Sequence, residues 1–144
     1  MSYSVDVNIL VYASDRSNPL HPTALRFLKG RASDPELFCL AWSTLISFLR
    51  ISTHPRIFAQ PLTPDEALDN LSSLLNLPRV RTLSEEDGFL DVYREVTGHF
   101  PVRGNFVPDA HLAALLLQHG VQTLYTKDAD FRKFDFLNVR DPLL

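Results

Sequence analysis

The stretch Pro108-Asp109-Ala110-His111-Leu112-Ala113-Ala114-Leu115-Leu116-Leu117-Gln118-His119-Gly120-Val121-Gln122-Thr123-Leu124-Tyr125-Thr126-Lys127-Asp128-Ala129-Asp130 carries the reading of the fold. Pro108-Asp109 opens a helix, because proline suits a first helical turn and an acid suits its positive end. Ala110 to Gln118 continues it as a very apolar helix, and Gly120 stops it. Val121 to Tyr125 then reads as a strand. The chain leaves that strand through Thr126 into Asp128 and Asp130, with a short helical turn over Asp130 to Phe134 and a last strand over Phe136 to Val139.

Working outward, the same alternation recurs. Tyr3 to Asp6 is a short first strand, and Asn8 to Ala13 starts a helix. Pro22 to Gly30 is amphipathic, with Ala24, Leu25, Phe27 and Leu28 turned inward. Leu37 to Leu40 is a second strand, and Trp42 to Ile51 places Trp42, Leu45, Ile46 and Leu49 at helical spacing. Thr63-Pro64-Asp65-Glu66 is a capping box with proline at the first helical position. Leu68, Leu71, Leu74 and Leu75 form the stripe of that helix, and Pro78 closes it. Val80 to Leu83 is a brief strand. Ser84-Glu85-Glu86-Asp87 is expected to cap a fifth helix running to about His99. Strands alternating with helices imply an α/β fold, here a three-layer α/β/α sandwich with a mainly parallel sheet. Residues 1–144 are expected to form one domain.

Composition narrows the function. The 144 residues are 45% hydrophobic and 22% charged, which excludes wholesale disorder. The single Cys39 excludes an internal disulfide and a thiolate-rich metal site. The longest apolar run, Leu112 to Leu117, is far short of a membrane span. The first residues lack a signal-peptide pattern, so a cytoplasmic setting is expected. A net charge of −3 means that any nucleic-acid contact must be local. The cations are 11 Arg and 3 Lys, and Arg is the residue suited to bidentate phosphate contact.

In parallel sheets, ligands sit beyond the carboxyl ends of the strands. Asp6 ends the first strand, Asp128 and Asp130 follow the strand at Val121 to Tyr125, and Asp109 opens the helix before it. Clustered carboxylates raise one another's pKa values, and a divalent cation relieves that. Oxygen ligands without a Cys or a His pair suit Mg²⁺ or Mn²⁺, and such an ion fits phosphodiester hydrolysis. Local readings stand beside this one. Asp6 serves equally as a helix N-cap and Asp109 as an N-cap or first-turn acid, and from spacing alone Asp128 and Asp130 read first as ordinary turn acids.

The segments Asp6-Val7-Asn8, Pro108 to Leu115 and Thr126-Lys127-Asp128-Ala129-Asp130-Phe131 together resemble the motifs of PIN-domain ribonucleases, and most closely the VapC-like toxins of type II toxin–antitoxin systems. Phe48 to Phe58 and Arg103-Gly104-Asn105 resemble a subgroup of them. The resemblance runs from Val5 to about Pro142. It implies a parallel sheet flanked by helices, Mg²⁺- or Mn²⁺-dependent endoribonuclease activity on RNA, a homodimer, and a small VapB-like antitoxin that occupies the active-site groove. By matching position, Asp6 and Asp109 are the principal metal-binding acids, with Asp128 and Asp130 completing the catalytic set. One departure stands out: most members carry a Glu where this chain has Ser47. A hydroxyl brings no charge but can hold a water.

Other side chains take supporting expectations. Asn8 and Thr126 can orient a carboxylate by hydrogen bonding, and Arg50 and Arg103 can contact RNA or an acidic antitoxin segment. Arg56, Lys127, His54, His99, His111 and His119 read as surface or packing residues, and Trp42 as core. Two competing functions remain open. One is a catalytically weakened module that binds RNA or an antitoxin without efficient cleavage, motivated by Ser47. The other is a phosphatase with Asp6 as nucleophile, which wants an acid where Asn8 stands.

Overall fold

A computed structural model describes residues 1–144. The chain forms β1 (Ser2–Val5), α1 (Val7–Ser14), α2 (His21–Gly30), β2 (Leu37–Ala41), α3 (Trp42–Ser52), α4 (Pro64–Leu75), β3 (Val80–Leu83), α5 (Phe89–Thr97), α6 (Val107–Gln118), β4 (Thr123–Tyr125) and β5 (Asn138–Arg140). Short 3-10 turns occupy Gly104–Phe106 and Ala129–Lys133. All four strand pairings are parallel, and the order across the sheet is β3-β2-β1-β4-β5.

The pleat sends alternate residues to opposite faces, and each face meets its own helices. Tyr3, Val5, Phe38 and Leu40 join Ile9, Leu10, Leu45, Phe48, Leu71 and Leu74 in one core under α1 to α4. Cys39, Ala41, Leu83 and Leu124 join the other core, under α5 and α6. The three layers expected from the alternation are therefore present. α6 is buried nearly all round, through Ala110, Leu112, Ala113, Ala114, Leu115 and Leu116.

The capping box at α4 forms as read: Glu66 N donates to Thr63 Oγ1 at 3.1 Å, and Thr63 N donates to Glu66 Oε1 at 3.0 Å. Elsewhere tertiary contacts shift the expected elements. Ser84 to Asp87 does not cap α5. Gln118 Oε1 accepts from Glu86 N at 2.9 Å, Gln118 Nε2 donates to the Glu86 and Asp87 carbonyls, and His119 Nε2 bonds the Ser84 carbonyl at 2.7 Å. These bonds from the end of α6 hold the segment out of helical geometry. α5 starts only after Gly88, whose φ of 81° suits glycine. α6 starts two residues before Asp109, so that acid lies in the first turn and is not the cap. The last strand begins at Asn138, not Phe136, because only that register pairs with β4.

Three expected core residues lie at the surface instead. Trp42 is 43% exposed, Ile46 57% and Leu68 50%. Helical spacing gives a stripe about one third of the circumference wide, and the sheet covers only part of it. Thr44, Leu45 and Phe48 are the buried side of α3, and Ala67, Leu71 and Leu74 that of α4.

Ser4 is fully buried opposite Cys39 and Leu124, and its hydroxyl has no partner. An unpaired buried hydroxyl costs more than the methyl that replaces it. Ser4→Ala is expected to raise stability by about 1 kcal/mol, read as a higher urea midpoint at unchanged slope.

Candidate active site

The site is built where the sheet changes direction. From β1 the chain builds outward through β2 and β3, then returns to place β4 on the other side of β1. Adjacent strand ends whose connections depart in opposite directions leave a crevice, the usual ligand position of an open parallel sheet. Asp6 leaves β1 there, and its N–H donates to the Tyr125 carbonyl at 3.0 Å, so the β1–β4 ladder continues to the aspartate.

Asp6 fulfils both of its readings. It is the N-cap of α1, with Oδ1 accepting from Val7 N at 2.7 Å. Its Oδ2 accepts from Thr126 Oγ1 at 2.9 Å and from Asn8 Nδ2 at 3.3 Å. Thr126 is 2% exposed, and its Oγ1 also accepts from Asp128 N at 3.0 Å. Asp128 Oδ1 in turn accepts from Asp130 N at 2.9 Å, which caps the 3-10 turn. A hydrogen-bonded chain thus runs from β1 through Thr126 to the loop after β4. Asp109 faces the same crevice from the first turn of α6 and feels all three other acids.

The crowding has an electrostatic cost. Burial, then the charges of Asp6, Asp128 and Asp130, push the Asp109 carboxyl up to about 6. Burial also raises Asp6. The hydrogen bonds from Thr126 and Val7 oppose that rise, and the Asp128 charge adds to it. No cationic side chain enters either balance.

The remaining expected residues are more scattered. Arg50 lies exposed in the last turn of α3, and Arg103 lies exposed just ahead of the Gly104–Phe106 turn. Ser47 is half-buried on α3 and is no part of the hydrogen-bonded chain through Thr126. Asn8 keeps its Oδ1 buried and unpartnered beside Asp6. His111 contacts Glu85 at 2.6 Å, in keeping with its reading as a surface side chain.

The sequence reading missed a groove of about 250 Å³, lined by Leu10, Leu25, Leu28, Phe48, Leu74 and Leu77 among others. Their helical spacing looks the same whether a stripe meets the core or a cleft. The donor set at the crevice is all oxygen, and no three acids, histidines or cysteines close into a ready cage. A divalent ion there could take one or two of these carboxylates, with water completing its shell.

A model of the PIN domain matches residues 3–137. Ribonuclease VapC48 of Mycobacterium tuberculosis is 41% identical over 142 residues, covering 99% of this chain and 98% of that one. Ribonuclease VapC37 of the same species is 30% identical, over 91% of this chain and 90% of that one. The chain belongs to the PIN-domain family, in its VapC branch. The fold agrees: VapBC2 from Rickettsia felis, bound to a DNA fragment from its promoter, superposes with a TM-score of 0.71 at 16% identity over 98% of both chains. VapC20 of M. tuberculosis, a sarcin-ricin loop cleaving toxin, gives 0.65 at 22% identity, over 96% of this chain and 98% of that one. No helix is long and apolar enough to cross a membrane.

The raised Asp109 sets a pH dependence. Between the ordinary carboxyl value of 3.8 and about 6, the folded metal-free protein holds a proton that the unfolded chain has released. Stability therefore falls as pH rises through that window and stays low above it. Discounted for the partial exposure of Asp109, Asp109→Asn should raise metal-free stability by about 1 kcal/mol at pH 7 and by nothing at pH 3.5. Thermal melts in chelator across that range measure the difference.

Proposed function

We propose that this chain is the toxin of a type II toxin–antitoxin system: a metal-dependent endoribonuclease that hydrolyses RNA phosphodiester bonds. The observation that carries the reading is the four-acid crevice with no compensating cation, in a chain 41% identical to a named ribonuclease. Asp6 and Asp109 hold a divalent ion, Mg²⁺ or Mn²⁺, and Asp128 and Asp130 complete the field. The bound ion supplies charge neutralisation at the scissile phosphate and activation of water.

The chain's own groups prepare that chemistry. Val7 N bonds Oδ1 of Asp6, and Thr126 and Asn8 both bond Oδ2, which fixes the rotamer and leaves a lone pair free on Oδ1. Asn8 braces the same carboxylate from within α1. Burial and the neighbouring acids hold the Asp109 carboxyl up to about 6, so it gives up its proton only near that pH. Ser47 holds a water at the place where relatives carry a Glu, and Arg50 and Arg103 contact RNA or the antitoxin.

The partner is a VapB-like antitoxin. The solved neighbours include VapBC complexes from Haemophilus influenzae and Salmonella typhimurium. The apolar groove offers such a chain a docking surface, and its continuation covers the acids. The protein works as a homodimer in the cytoplasm, as one domain.

Two measurements test this. Mg²⁺ or Mn²⁺ should bind the wild type in calorimetry, and Asp6→Asn/Asp109→Asn should abolish both that heat and RNA cleavage. Equal metal affinity in the two proteins would refute the ligand assignment. The second concerns Ser47. Ser47→Ala should slow cleavage less than about tenfold, the worth of one neutral hydrogen bond, whereas Ser47→Glu should tighten metal binding by on the order of 1–3 kcal/mol. A Ser47→Ala loss as deep as that of Asp109→Asn would make Ser47 a principal catalytic group.

A further inference from the structure

Beside the acidic crevice lies a surface of opposite character. Phe106 ends the Gly104–Phe106 turn, three residues before Asp109. Its ring stacks on Phe134 at 5.4 Å with the planes 26° apart. Phe134 is buried and also meets Phe100 and Phe131, so Phe106 rests on a fixed aromatic base. Lys133, at the end of the turn that contains Asp130, lays its Nζ over Phe106 at 5.2 Å. Arg103, Arg132 and Lys133 are all exposed. None of the three pairs with an acid, although the exposed Asp135 is close in sequence.

We propose that Phe106 and Lys133, flanked by Arg103 and Arg132, form a nucleotide-binding platform for single-stranded RNA next to the cleavage site. A base stacks on Phe106 where the lysine now lies, and Lys133 swings out to a neighbouring phosphate. The inference rests on the ribonuclease reading and adds to it the site that holds the nucleotide flanking the cut.

The physics favours the exchange. A lysine over a partly exposed ring is held weakly, whereas a stacked base contributes more, and stacking tolerates any base. Lysine is a flexible point charge, so it can leave the ring without disturbing the fold. The division of charge also sets register. The scissile phosphate lies over the acids, where a divalent ion is needed, and the flanking phosphates lie on Arg103, Arg132 and Lys133, where none is. This explains how a protein of net charge −3 can hold RNA locally.

The test uses a 12-nucleotide mixed-sequence single-stranded RNA with a 5′ fluorescein, bound in chelator at several KCl concentrations, together with cleavage kinetics in Mn²⁺. Phe106→Leu should weaken binding about tenfold at every salt concentration, while Phe106→Tyr stays near wild type. Lys133→Ala should weaken binding and reduce the salt slope by about 0.7, the single-strand value for one phosphate contact. In cleavage, both changes should raise KM and leave kcat in place. Arg26→Ala, exposed on α2, should alter neither.

If Phe106→Leu lowers the melting temperature too far to be read, an abasic 12-mer on the wild type replaces it. Equal binding of abasic and complete RNA would overturn the stacking role. Wild-type affinity and KM in both Phe106→Leu and Lys133→Ala would overturn the platform while leaving the ribonuclease standing. A wild type that neither binds nor cleaves would remove both. Variants that keep RNA affinity but lose binding to poly-glutamate would assign the surface to an acidic protein segment instead.

Discussion

The parallel pairing of β1 with β4 is the constraint on which the rest depends. Three pairs, Tyr3 with Thr123, Ser4 with Leu124 and Val5 with Tyr125, bring together segments about 120 residues apart. The register is what matters. It sets Asp6 level with the exit of β4, so that Thr126 can donate to its carboxylate and receive the Asp128 N–H on the same oxygen. A one-residue slip would turn Thr126 to the other face of the sheet and break both bonds. The strand order then leaves the crevice open, because the connections from β1 and β4 depart to opposite sides.

That placement sets the acids against the fold. Burial and mutual repulsion both oppose ionisation of Asp109, and burial opposes that of Asp6. Soluble proteins seldom hold buried like charges close together without a counter-charge, since the desolvation penalty adds to the repulsion. Here the hydrogen bonds of Thr126, Asn8 and Val7 N keep the Asp6 carboxylate in position, and no cationic side chain offsets the charge of Asp6 or Asp109. The unbalanced charge is the property that makes the crevice attractive to a divalent ion.

The two faces of the sheet serve different ends. On the α6 side, Cys39, Ala41, Leu83 and Leu124 of the sheet share one buried core with the apolar residues of α6. Asp109 sits in the first turn of that helix, directly ahead of the buried Ala110. On the α1–α4 side, the apolar stripes are wider than the sheet can cover. They leave a groove between α1, α2 and α4, and Trp42 and Ile46 exposed on α3.

Much of this was legible in the sequence where the cause is local. The alternation of strand and helix, the Thr63–Glu66 capping box, the apolar run of α6 and the acids at strand ends follow from side-chain periodicity and short-range hydrogen bonding. The motif order pointed to the family for the same reason. What the sequence could not settle depended on which distant surfaces meet. The start of α5 was moved by Gln118 and His119, some thirty residues away. Leu68, Trp42 and Ile46 repeat at helical spacing like core residues, yet periodicity gives the direction of a stripe and not its width. Asp6 read equally as a cap and as a site acid, and only the approach of Thr126 made it both. The raised Asp109 has no local signature at all. It arises from burial, and then from the charges of Asp6, Asp128 and Asp130 on two other segments, and both exist only once the sheet has brought these segments together.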